Sequence, residues 1–316
     1  MKCIFTHCWH LTGYVPTCRV EDKREWLAFQ EATMKQVVEI ANEHDAHLII
    51  AGDLFDQPRI DDEVITLFIR CMLPMLNDVI VIGGNHSLPE HREANIDRSS
   101  LGIIKAMSLN PSSKIKYITC DEFLIDGRFE HSVQLNKDIT LVHTLTVDAD
   151  EIPFSWRAIT ARELAQKYTT PWVLVGDNHN SFHAKFNGIN VLSAGCLMAE
   201  TVSENEYDLG VYYIDTGESV DVTTQNDTSP VYRVSNSTVK WISLNHDKTR
   251  VSRSHIKTKS TDDDALRAIV EILEKEGDGI SVDYERNLLE YIAHSSSISE
   301  GAVAIIEEIR DSKERV

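Results

Sequence analysis

Four segments of this chain place metal-binding residue types directly after apolar runs. They are Cys8-Trp9-His10-Leu11, Gly52-Asp53-Leu54-Phe55-Asp56, Gly84-Asn85-His86 and Gly176-Asp177-Asn178-His179. A fifth, His143, closes the apolar run Ile139-Thr-Leu-Val-His143. Carboxylates, imidazoles and an amide oxygen on strand tips can surround two divalent ions. Such a pair polarises a phosphoryl group, activates water near neutral pH and stabilises both attacking and leaving oxygens.

Each segment also has a plainer explanation. Asp53 follows a strand and a glycine that permits a sharp turn, which suits a bridging carboxylate. Taken alone, it is equally an Asp capping the next helix. Asn85 offers an amide oxygen to a hard cation, with His86 beside it to contact phosphate or protonate a leaving group. A Gly-Asn turn with a surface His reads the same way. His143 alone is an ordinary boundary histidine. Asp177 and His179 are two residues apart and share a side in extended chain, although an Asx turn also fits. By the same parity Cys8 pairs with His10, while His7 and Trp9 share the opposite face. A cysteine thiolate ligates divalent metals and biases the position towards zinc or iron. Alternatively Cys8 is a small packed residue and that metal position is weak or empty. His91 and His183 follow two of the tips closely enough to line the same cleft.

Elements to hold these tips are legible. Apolar runs predict strands at Lys2–Phe5, His47–Ala51, Val79–Ile82, Ile115–Ile118, Ile139–His143, Trp172–Val175, Asn190–Leu192 and Leu209–Ile214. Helical spacing marks Arg24–Glu43, Val64–Met72 and Ala161–Tyr168. Continuous apolar strands interleaved with helices predict an α/β layered domain over residues 1–215, its sheet buried on both faces. After residue 216 the texture becomes polar. Two short strands, Val231–Val234 and Val239–Leu244, then precede helices at Ala265–Glu276 and after the capping-box spacing Ser297–Glu300. Residues 216–316 therefore read as a small α+β accessory domain.

The formal net charge of the 316 residues is -19. Such a chain repels a nucleic-acid backbone at long range, so action on DNA would need bound metal or a basic partner. No apolar run approaches the roughly 20 residues that span a bilayer. The six cysteines lack paired-ligand spacing. A reduced, cytoplasmic protein without membrane attachment is the expectation.

Taken in order, the segments resemble the calcineurin-like metallophosphoesterase superfamily, whose pattern is Asp-x-His, Gly-Asp-x-x-Asp, Gly-Asn-His-Asp/Glu, a His, then Gly-His-x-His. The subgroup they look most like is the SbcD-like DNA repair nucleases of bacteria and phage. Trp9-His10-Leu11, Ala51-Gly-Asp-Leu-Phe-Asp56, Gly84-Asn-His-Ser-Leu-Pro-Glu-His91 and Asp97-Arg-Ser-Ser-Leu-Gly102 all fit. The resemblance implies a β-sandwich flanked by helices. It implies one metal held by Cys8, His10, Asp53 and His179, and a second held by Asp53, Asn85, His143 and Asp177. His86 would be the catalytic histidine, and manganese the expected ion at both positions, with zinc or iron admitted at Cys8. DNA ends or nucleotide phosphodiesters would be the substrate, and a coiled-coil SMC-type ATPase the partner, with homodimer formation a further expectation. Three departures weigh on nuclease activity: Cys8 for the first Asp, Ser87 for the acid after Asn-His, and Ser193-Ala-Gly-Cys-Leu-Met198 for Asn-Pro-Gly-Ser. A small-substrate phosphoesterase, or a degenerate member acting by binding, are the competing readings.

Overall fold

In a computed structural model, residues 1–125, 128–149, 158–222, 231–235 and 237–253 are described. The helices expected at Ala265–Glu276 and beyond Ser297 lie outside those residues. In chain order the elements are β1 (Lys2–Thr6), α1 (Lys23–Glu43), β2 (His47–Ala51), α2 (Asp62–Met72), β3 (Val79–Ile82), α3 (Ser100–Ser108), β4 (Ile115–Tyr117), β5 (Asp121–Ile125), β6 (Arg128–Gln134), β7 (Ile139–His143), β8 (Thr146–Val147), β9 (Ile159–Thr160), α4 (Ala161–Lys167), β10 (Trp172–Gly176), β11 (Ser181–Phe186), β12 (Ile189–Ala194), β13 (Gly210–Asp215), β14 (Glu218–Val222), β15 (Val231–Ser235) and β16 (Thr238–Ser243).

Two six-stranded mixed sheets carry the architecture. The first runs β16-β13-β1-β2-β3-β4 and the second β11-β12-β10-β7-β6-β5. Strands β1 to β4 are parallel, as are β7, β10 and β12. The flanking strands β13, β16, β11, β6 and β5 run antiparallel to their neighbours. Period-two alternation sorts the side chains of β2 between two cores. Leu48 and Ile50 join Met34, Val37, Phe68 and Leu101 against α1, α2 and α3. Ile49 and Ala51 meet Leu141, Trp172, Leu174 and Leu192 of the second sheet. On the far side of that sheet Val142, Val173 and Val175 pack on Leu164 of α4. The layers are thus helix, sheet, sheet, helix, and both sheets are covered on both faces. Each large side chain buried in these layers contributes roughly 1.5–3 kcal/mol.

Local signals start the helices. Asp22 accepts from the Glu25 backbone N–H at 2.8 Å while the Glu25 carboxylate accepts from the Asp22 N–H at 3.2 Å, a capping box that begins α1. Thr160 and Glu163 repeat the arrangement at α4.

The strand expected at Val239–Leu244 is present as β16, Thr238–Ser243. It pairs with β13 at the edge of the first sheet, while β15 pairs with β14. Residues 238–253 therefore pack in the same compact unit as the N-terminal strands. Apolar edge pairing decides this: Val239 and Trp241 of β16 pack against the inter-sheet core. Among the described residues no helix is long and apolar enough to cross a membrane.

Candidate metal centre

The tips predicted from sequence leave the C-terminal ends of β1, β2, β3, β7 and β10, the shared end where parallel strands present their loops. Strong local geometry makes the turns. Gly52 has φ +92, and a Cβ there would collide with the His143 ring. A Cβ on Gly84 would meet the backbone and carboxylate of Asp53. These two glycines let the tips of β2 and β3 close on each other and on β7.

Four candidate ligands occupy left-handed backbone: Cys8 (φ 48), His10 (φ 45), Asp53 (φ 47) and Asp177 (φ 80). At Cys8, His10 and Asp177 the chain is left-handed where alternation predicts it extended, and backbone reversals aim these side chains inward. Non-glycine residues at positive φ cost energy, of order 1–3 kcal/mol each, and persist where surrounding structure enforces them. Here the Cys8 N–H donates to the Gly52 carbonyl at 3.1 Å, and the N–H groups of Trp9 and His10 both donate to the Asp53 carbonyl, at 2.9 and 3.1 Å.

The side chains converge in two overlapping groups. Ligand-capable atoms of Cys8, His10 and His179 lie within 4.8 Å of one another, as do those of Asp53, His143 and Asp177. Asp53 also groups with His10 and His86 at the same separation, so it stands between the two sets. In the second group the His143 Nδ1–H donates to the Ala51 carbonyl at 2.9 Å, which directs Nε2 at the centre. Facing that nitrogen are Asn85 Oδ1 at 2.7 Å, Asp53 Oδ2 at 3.1 Å and Asp177 Oδ1 at 3.9 Å. Three acceptor oxygens converging on one nitrogen call for a cation. Without metal the proton supplies it. Burial alone would lower the pKa of His143, but the Asp53 charge and hydrogen bond outweigh it and raise it to about 9. Burial would likewise raise the pKa of Asp53, and His143 drives it well below the usual carboxylate range instead.

The first group shows the same preparation. His10 Nε2 and His179 Nε2 face each other at 3.2 Å. Their outer nitrogens meet carboxylates: His179 Nδ1 contacts Glu204 at 2.7 Å, and His10 Nδ1 contacts Asp56 at 3.4 Å. For His179 that is the carboxylate–histidine–metal arrangement, which fixes the ring and leaves its inner nitrogen to a metal, whereas His10 has Asp56 alongside without a hydrogen bond to it. Cys8, 1 % exposed, completes the group. Burial, then the charges of Asp53 and Asp177, push its thiol well above the usual range, so a bound cation is what would make it a thiolate. The donor chemistry of both groups fits divalent metal.

His86 sits at the mouth, its side chain 47 % exposed and its ring 4.7 Å from that of His10. Its backbone N–H donates to Asp53 Oδ1 at 2.9 Å, and its Nδ1 lies 3.2 Å from the Asp56 carbonyl. Ser87 does not stand in for a supporting acid. Its hydroxyl is tied to the backbone of Phe55, donating to the carbonyl at 3.0 Å and accepting from the N–H at 3.1 Å. His91 Nδ1 contacts the Asn85 carbonyl at 2.7 Å, bracing that loop. His183 is elsewhere. It contacts Asn190 at 3.1 Å, near the start of β12, the end opposite the site.

Three supporting residues were not foreseen. Asp56 lies three residues after Asp53, and that spacing is the available signal. Glu204 sits in a stretch rich in acids where no spacing distinguishes it. It accepts from the backbone N–H groups of Glu200 and Thr201, each at 2.9 Å, as well as from His179. His7, fully buried, accepts from the Gly195 N–H at 3.0 Å and contacts Ser193 at 3.1 Å. Ser193 in turn lies 3.1 and 3.0 Å from the carbonyls of Asn178 and Asn180. The unusual Ser193–Met198 stretch thereby holds the tip that carries Asp177 and His179.

The profile of the calcineurin-like phosphoesterase family matches residues 8–209, well over half of the chain. The chain belongs to that family. No curated protein sequence matches it. Among solved structures it is similar to a novel archaeal phosphodiesterase, at 14% identity over 68% of this chain and 94% of that one, with a TM-score of 0.37. It is also similar to a predicted phosphoesterase from Streptococcus pneumoniae, at 13% identity over 77% and 97% with a TM-score of 0.31. A third is Vps29 from Entamoeba histolytica, at 10% identity over 78% and 100% with a TM-score of 0.31.

Proposed function

We propose that this protein is a metal-dependent phosphodiesterase acting on small, nucleotide-type phosphodiesters. The observation that carries the reading is the convergence of two prepared ligand groups on a shared, buried Asp53 in a member of the phosphoesterase family. Cys8, His10, His179 and Asp53 would hold one ion, and Asp53, Asn85, His143 and Asp177 the other. Bound there, the ions supply charge neutralisation at phosphate and a water acidic enough to attack near neutral pH. The chain's own part is positional. Ala51 and Glu204 hold the tautomers of His143 and His179, leaving their Nε2 lone pairs inward. His86, anchored by its N–H to Asp53 and open to solvent, delivers a proton to the departing oxygen. A net charge of -19 favours a substrate with one phosphodiester over a polyanion, because every further phosphate adds repulsion.

The test is hydrolysis of bis(p-nitrophenyl) phosphate with added manganese, set beside p-nitrophenyl phosphate and single-stranded DNA. The reading expects diester turnover. It expects His86→Ala to lose about 100- to 10,000-fold in rate with metal content unchanged. Protein that binds no metal and turns over no diester ends it. The sequence resemblance between Trp9 and Gly102 favours a second reading, a nuclease subunit working with an SMC-type ATPase. On that reading DNA cleavage appears only with the partner, and deletion of residues 216–316 abolishes co-purification of an ATPase.

A further inference from the structure

We propose that the two positions take different metals: zinc at the position holding Cys8, and a hard ion such as manganese or magnesium at the position holding Asn85. This rests on the two-metal reading above and goes beyond it by assigning each position a metal class.

The donor sets differ in kind. The first offers sulfur from Cys8, nitrogen from His10 and His179, and one carboxylate from Asp53. Sulfur and imidazole with a single oxygen is a set that suits tetrahedral zinc. The second offers oxygens from Asp53, Asn85 and Asp177 with nitrogen from His143 alone, a set suited to hard ions. The outer contacts sharpen the contrast. His179 is backed by the Glu204 carboxylate at 2.7 Å, and Asp56 lies 3.4 Å from His10 Nδ1, so a negative charge stands behind each ring. His143 is backed by a neutral carbonyl, that of Ala51.

The surroundings of Cys8 also favour sulfur. Cys8 packs with Cys196, Ala199 and Leu209, and Tyr207 and Val251 cover the group. An apolar wall on this side suits a sulfur atom better than a charged oxygen. Binding places the metal on Sγ and releases the thiol proton to solvent, so no oxidant or reductant is involved.

The experiment uses the full chain, stripped with chelator and reloaded, and reads binding without reference to hydrolysis. Protein loaded with zinc and then dialysed against a large excess of manganese should keep about one zinc per chain that resists exchange, with manganese replacing zinc at the other position. Loading with cobalt should give the near-ultraviolet sulfur-to-cobalt charge-transfer band. Cys8→Ser should abolish the band and the exchange-resistant zinc, and Cys196→Ser should leave both. Should the serine variant fold poorly, Cys8→Asp, which restores a ligand, should bind two manganese ions and no tightly held zinc. Wild-type protein that takes two manganese ions and shows no band overturns the proposal, even if it hydrolyses diesters. So does a band that survives Cys8→Ser. A cobalt band and retained zinc without diester hydrolysis would uphold the metal assignment while removing the phosphodiesterase reading.

Discussion

Stripping metal from this protein should make its stability fall as pH rises from 6.5 to 9, and His143 is the reason. In the folded, metal-free chain Asp53, Asn85 and Asp177 converge on His143 Nε2, and the pKa rises from 6.5 to about 9. A raised folded pKa means that the native state holds its proton more tightly than the unfolded chain. The contribution is therefore complete below 6.5 and is lost as pH climbs through about 9. At about 1.4 kcal/mol per pKa unit, that is about 3 kcal/mol of stability. His143 is fully buried, so solvent screening takes little from that figure. His179, raised by Glu204 against the lowering effect of burial, adds in the same direction. Asp53 titrates far below this window and contributes no slope there. Urea unfolding of chelator-treated protein at intervals across the range measures the slope. Asp53→Asn should flatten it, because the charge that retains the proton is gone. Reloading metal should flatten it too, because the ion replaces the proton. A metal-free wild type with the same stability at both ends of the range would refute the claim that the second position is a cation site awaiting its ion.

Glu204→Gln should weaken metal binding at the Cys8 position by about 10- to 100-fold, read by competition with a chelating dye, since it loosens the outer anchor of His179. Gly52→Ala should cost at least about 1–3 kcal/mol from its left-handed backbone alone. The clash with His143 adds to that and should abolish metal uptake, so thermal unfolding and metal analysis are read together. His131 is buried opposite His143, and burial, aided by the His143 charge, lowers its pKa from 6.5 to about 4. Its neutral form is favoured on folding, so stability should fall by about 3 kcal/mol as pH drops through that window. His131→Met should flatten this acid limb in urea titrations.

Much of the frame was legible because its strands are continuous apolar runs. The expected bounds of His47–Ala51, Val79–Ile82 and Ile139–His143 match the observed ones. What escaped was polar or short. Strand Ser181–Phe186 is an edge strand with alternating exposure, and Asp121–Ile125 and Arg128–Gln134 pair at the opposite edge of the same sheet. Helix Ser100–Ser108 has only three buried side chains. At the site, strand-tip residues announced themselves through glycine-flanked motifs. Glu204 and His7 act across more than twenty residues of chain with no motif of their own, so only the tertiary structure reveals them. The Cys8 and Asp177 side chains were placed through an assumption of extended chain that the left-handed backbone replaces.

The placement of the ligands has a mechanical consequence. Cys8, His10, Asp53 and Asn85 follow strands of the first sheet, while His143, Asp177 and His179 follow strands of the second. Each ion would draw ligands from both, and so would act as a rivet through one end of the sandwich. At the opposite end apolar side chains around Ile139 and Trp172 pack between the sheets. Loading and stripping metal should therefore change amide hydrogen exchange unevenly. Protection should rise at the C-terminal ends of β1, β2, β7 and β10, and their N-terminal ends should exchange as before.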